Sequence, residues 1–128
     1  MTPKIVRFLD EQRPPTPCLV VDLDVIERNY RRIAELLPTA AVFYAVKANP
    51  APQILDRLAA LGSSFDAASL SEIEACLAAG APAERISFGN TIKKADDIRR
   101  AFELGVPIYA FDAAAELAKL AEIGRAHV

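Results

Sequence analysis

The sequence predicts an α/β chain that forms the N-terminal half of a (β/α)8 barrel, and three observations carry that expectation. Short apolar runs alternate with amphipathic stretches of about ten residues, the pattern of βαβ units and a parallel sheet. A polar residue stands near the C-terminal end of each run: Lys47, Asp66, Asn90 and Asp112. In a barrel such positions converge on one mouth, where the chemistry is kept. The chain has 128 residues, whereas a whole barrel takes about 250, so the four units visible here amount to half of one.

Residues 1–15 are expected to be an N-terminal arm. The first helix is predicted to follow Asp24, which makes an Asp-x-x-Glu capping box with Glu27. Val25, Ile26, Tyr30, Ile33 and Leu37 recur at helical spacing, and Pro38 stops the run. Residues 40–46 read as a strand. The helix over 52–61 ends at Gly62. A second strand covers 64–67, and Ser69 with Glu72 forms a capping box for a helix that ends at Gly80. The third strand is predicted over 85–88, with a helix over 93–104 that stops at Gly105. Residues 106–111 read as the fourth strand, and Asp112 caps a last helix through Leu120. Residues 122–128 hold Gly124, which should break a helix, and His127, the chain's one histidine. They are expected to be a non-native tail on a partial barrel of residues 16–121.

Composition excludes several classes. Net charge is −2, and the basic pairs Arg31-Arg32, Lys93-Lys94 and Arg99-Arg100 read as solvated helix faces, so nucleic acid is not an expected partner. No apolar run reaches the ~20 residues of a membrane span, and the first residues lack a secretory pattern. Cys18 and Cys76 match no metal or redox spacing and read as small buried side chains in a reducing compartment. A cytoplasmic protein is expected.

Lys47 is the residue on which chemistry can be built. Strand alternation puts Phe43, Ala45 and Lys47 on one face and Val42, Tyr44 and Val46 on the other. If the valines pack on helices, Lys47 points into the mouth, where desolvation would favour the neutral amine that attacks a carbonyl. The alternative is a strand-end lysine that reaches solvent. For Asp66 the alternative is an aspartate bonded to helix-leading backbone, and for Glu72 it is the capping box alone.

Phe43-Tyr44-Ala45-Val46-Lys47-Ala48-Asn49 resembles the cofactor-lysine motif of fold-type III pyridoxal-phosphate enzymes, the barrel class of alanine racemases and group IV decarboxylases. Phe65-Asp66-Ala67-Ala68-Ser69 with Glu72 resembles the second-strand motif of ornithine decarboxylases, and residues 86–94 resemble their third-strand segment. Phe111-Asp112 with Glu116-Leu117 resembles the fourth, and residues 16–22 are similar to the strand these enzymes lend to a C-terminal β domain. The resemblance covers residues 14–121.

It implies pyridoxal 5'-phosphate as cofactor, carried on Lys47, with Asp66 and Glu72 near it. It further implies decarboxylation of a small basic amino acid, ornithine to putrescine first, by a homodimer. Lysine, arginine or diaminopimelate are the other substrates the class allows. A non-catalytic pyridoxal-phosphate-binding barrel or a regulatory homologue are the other functions. The family's ring-stacking histidine, phosphate-binding glycines and dimer-completing residues have no counterpart here, so the chain is expected to be an N-terminal fragment without turnover of its own.

Overall fold

Parallel strands cannot be joined by tight turns, so each neighbouring pair in this chain is bridged by a helix. The structure, a computed structural model, describes residues 1–125. It begins with a helix in the segment expected to be an arm. Thr2 accepts the Ile5 N–H and caps α1 (Pro3–Gln12), with proline in the first turn. The Thr2 hydroxyl then donates to Asp22 at 2.8 Å, and the Lys4 ammonium to Asp24 at 2.8 Å, clipping α1 to the start of α2 (Leu23–Leu36).

Those contacts correct the predicted start of α2. Asp22, not Asp24, is the cap, accepting the Asp24 N–H at 3.1 Å. Glu27 does not close a capping box; it binds Arg31 at 2.8 Å and Arg57 at 2.6 Å. The strand expected over 16–22 is not formed. A strand exists only where another supplies its hydrogen bonds, and none of the described residues does so. Cys18 is exposed there, against the expectation of burial.

Four parallel strands follow: β1 (Phe43–Ala45), β2 (Ser64–Ala67), β3 (Ile86–Phe88) and β4 (Ile108–Tyr109). They lie side by side in chain order, with Ala45 opposite Asp66, Asp66 opposite Ser87 and Ser87 opposite Ile108. A doubly wound sheet reverses its strand order at a switch point; this one does not, which is the progression of a barrel wall. Helices α3 (Pro52–Ala60), α4 (Leu70–Ala78) and α5 (Ala95–Glu103) make the crossovers, and α6 (Ala114–Arg125) follows β4. Gly62 and Gly80, at φ +85° and +86°, let the chain leave α3 and α4 through the left-handed region.

Several boundaries differ from expectation. β1 ends at Ala45, and Val46–Ala48 form a 3-10 turn that carries Lys47. Tyr44 Oη donates to the Asn49 carbonyl, and the Asn49 side chain accepts the Ala51 N–H, so the turn is fixed locally. Asp112 does not cap α6; the helix starts beyond it, at Ala114, with the Glu116 and Leu117 N–H groups bonded to the Ala113 carbonyl. Gly124 does not break the helix, because a glycine near a helix end costs only about 1 kcal/mol and the neighbouring Ile123 is buried. His127 lies outside the described residues.

The core occupies one side of the sheet. Val46, Phe65, Ala67, Ile86 and Phe88 pack there against Leu55, Leu58, Ile73, Cys76 and Ala101 of the helices. The alternate residues Phe43, Asp66, Ser87 and Ile108 face the other way. Phe43 and Ile108 are 39% and 45% exposed on that open face. With β1 and β4 both presenting unpaired edges, the chain should self-associate in solution. Light scattering behind size exclusion is expected to give a mass above 13.8 kDa; a monomer that melts cooperatively would refute this.

Candidate functional site

The site lies at the C-terminal ends of the strands. Register sets its first pair. Ala45 is opposite Asp66, so Lys47 rises on the turn two residues beyond the position that faces Asp66 across the β1–β2 boundary. Val46 beside it is fully buried among the core side chains and pins the turn, while Lys47 is exposed. The burial expected of a strand-end lysine is therefore not found: the strand stops at Ala45, and the turn that follows carries Lys47 exposed. Among the described residues the Lys47 amine has neither a hydrogen bond nor an ion pair.

Asp66 is half-buried on the open face of β2. Its carboxylate lies against β3, not against the helix-leading backbone: Ser87 Oγ donates to Asp66 Oδ1 at 2.6 Å. It also covers Gly89, where a Cβ would stand 2.1 Å from Oδ1. Neither Ser87 nor Gly89 stood out in the sequence. The available signal was a serine and a glycine flanking Phe88 at the alternate positions of an apolar strand.

Glu72 stays with its helix. Its N–H bonds Ser69 Oγ at 3.3 Å, and its carboxylate accepts the Ala68 N–H at 2.6 Å, tying the end of β2 to α4. The capping box is thus formed, with the return bond one residue upstream of the cap.

Lys93 overturns the expectation of a solvated helix start. It is 4% exposed, and its Nζ donates to the carbonyls of Asn90, at 2.7 Å, and Ala110. The ammonium stands 5.6 Å from the centre of the Phe88 ring. Burial pushes its pKa down, with Glu116 acting in the opposite sense. Glu116 accepts the Lys93 N–H and the Lys119 ammonium, and the latter holds its carboxyl below the usual carboxylate range. Lys94 alone is exposed, at the α5 cap position. Asn90 serves through its backbone carbonyl, which fits the turn reading, and Asp112 contributes only charge near Lys93. Cys76 is no nucleophile, because burial in the core pushes its thiol up to about 11.

The arrangement suits capture of a carbonyl group. A primary amine without a partner stands at the open mouth, one strand from a carboxylate held in place. This donor set fits the aldehyde end of pyridoxal phosphate. Among the described residues no group of three or more His, Cys, Asp and Glu side chains could hold a metal, and no helix is long and apolar enough to cross a membrane.

Residues 23–127 match the family described as "pyridoxal-dependent decarboxylase, pyridoxal binding domain". A lysine/ornithine decarboxylase of Selenomonas ruminantium is 42% identical over 111 residues, which cover 87% of this chain and 28% of the relative. A crystal structure of SrLDC in complex with PLP and cadaverine superposes with a TM-score of 0.83 at 41% identity, over 96% of this chain and 32% of that one. A lysine/ornithine decarboxylase of Vibrio vulnificus complexed with putrescine gives 0.80 at 34% identity, over 91% and 31%. The chain spans about a quarter of the length of the curated relatives it matches.

Proposed function

The chain belongs to the pyridoxal-dependent decarboxylases, within their pyridoxal-binding domain, and from that premise we propose that it supplies the lysine-bearing wall of the cofactor site in a decarboxylase of basic amino acids. Ornithine, giving putrescine, is the substrate we assign; lysine is the second reading, favoured by the paired lysine/ornithine activity in the names of the relatives. We place the working enzyme in the cytoplasm as a homodimer.

The observation that supports this reading most directly is the partnerless Lys47 amine at the end of β1. Lys47 binds the cofactor through its amine, and Val46, buried beneath the turn, sets where that amine stands. Pyridoxal phosphate supplies the electron sink for the pair left behind when carbon dioxide departs. Asp66 places a carboxylate on the adjacent strand, where the Ser87 hydroxyl holds it. Glu72 supports the site through the backbone it fixes between β2 and α4.

Decarboxylation assays on the product of the complete gene, with ornithine, lysine, arginine and diaminopimelate in parallel, test the assignment. Ornithine should be turned over with the highest kcat/KM and lysine second. A preference for diaminopimelate or arginine would overturn the substrate, and no release of carbon dioxide from any of the four would overturn the activity.

A further inference from the structure

Two opposite charges stand on neighbouring strand ends here and do not pair. Lys47 has no ion-pair partner among the described residues, and neither does Asp66. Asp66 is engaged on β3 instead. The Ser87 hydroxyl, on a residue 7% exposed, has one proton and two acceptors in reach: Asp66 Oδ1 at 2.6 Å and the Phe65 carbonyl at 3.4 Å. The nearer, charged acceptor takes it. Gly89 completes the seat, because the space a side chain would fill is occupied by the Asp66 carboxylate, 2.1 Å from Oδ1 and 2.6 Å from Cγ.

We propose that Ser87, with Gly89, is a positioning residue that holds the Asp66 carboxylate against β3 and so leaves the Lys47 amine free to capture an aldehyde cofactor. The inference rests on the assignment of Lys47 given above. Only the unprotonated amine has a lone pair to offer a carbonyl, and a carboxylate released toward β1 would favour the protonated form and so slow capture. Other candidates to hold Asp66 or to meet Lys47 are engaged: Glu72 by the Ala68 N–H, and Lys93 by the Asn90 and Ala110 carbonyls.

The test uses the 128-residue chain with pyridoxal phosphate at one fixed pH. Borohydride trapping at timed intervals and peptide mass spectrometry give the rate of labelling at Lys47 relative to exposed Lys94. Ser87→Ala and Gly89→Ala should each slow Lys47 by about fivefold relative to Lys94, the factor a hydrated ion pair supplies. Ser87→Thr, which keeps the hydroxyl, should label like the parent. In an Asp66→Asn background Ser87→Ala should change nothing, a dependence that loss of structure would not show. Circular dichroism melts accompany each variant.

An unchanged Lys47 rate in Ser87→Ala, or a slowing that persists in the Asp66→Asn background, overturns the seat while the Lys47 assignment stands. A parent chain in which Lys47 labels no faster than Lys94 overturns the assignment, and the seat with it.

Discussion

A Lys47→Ala chain is expected to fold and melt like its parent while losing capture of pyridoxal phosphate at residue 47 altogether. In the product of the complete gene the same change should lower kcat by roughly a thousandfold, about 4 kcal/mol of barrier. The two halves of that expectation have separate causes. The Lys47 side chain is exposed and bonds nothing among the described residues, so its removal takes no hydrogen bond or ion pair from the fold. The turn beneath it is held by Val46 in the core and by the Tyr44 and Asn49 hydrogen bonds, all of which alanine leaves in place. Only the amine goes, and no other lysine of the chain can stand in for it. Lys93 is buried and bonded, and Lys119 is paired with Glu116. Lys4 of α1 is paired with Asp24 of α2, and Lys94 stands at the start of α5, away from the β1 end. Lys47→Arg should fail equally, because a guanidinium keeps its proton and cannot attack an aldehyde. Peptide mapping after borohydride reduction checks capture, and thermal melts check the fold. Equal labelling of the Lys47→Ala chain and the parent would remove the basis of the assignment.

Where local signals settled a feature, it was readable from the sequence. β2 falls on the predicted residues 64–67 because an alternating tetrapeptide, a Ser-x-x-Glu cap and a terminal glycine enclose it. The sheet order followed from the same rhythm repeated. Lys47 stood out by residue type and motif, although the predicted geometry placed it directly at the end of a strand and the chain puts it on a turn. What the sequence concealed was settled across the sheet or between distant segments. Asp22 prevails over Asp24 as the α2 cap because Thr2 and Lys4, twenty residues earlier, bond to these two carboxylates. Ser87 meets Asp66 only once the β2–β3 register is known. α1 was hidden because its start signals, Thr2 and Pro3, lie at the very beginning of the chain and precede a run with mixed polarity.

Lys93 shows the same limit at its largest energetic consequence. A lysine pair before a helix reads as solvated, and only the approach of the β4 end reveals that the first of the two is buried. Lys93→Met is expected to lower stability by about 2 kcal/mol, because the Asn90 and Ala110 carbonyls lose their donor inside the fold while a similar volume is filled. Lys93→Ala should cost more, since the stem that packs on Phe88 is lost as well. The pH dependence separates the charge from the packing. Burial lowers the folded pKa beneath the ordinary 10.5, so the unfolded chain binds the proton more tightly. Stability from this residue therefore rises with pH through the window between the lowered value and 10.5, and is flat below that window, where both states are protonated. The neutral amine keeps two N–H donors, enough for both carbonyls, so the bonds survive the titration. Urea midpoints at neutral pH and at successive steps up to pH 10.5 should climb for the parent relative to Lys93→Met. A gap between the two chains that stays constant across that range would show that Lys93 is held by packing alone, and equal midpoints at neutral pH would show that the buried bonds add nothing.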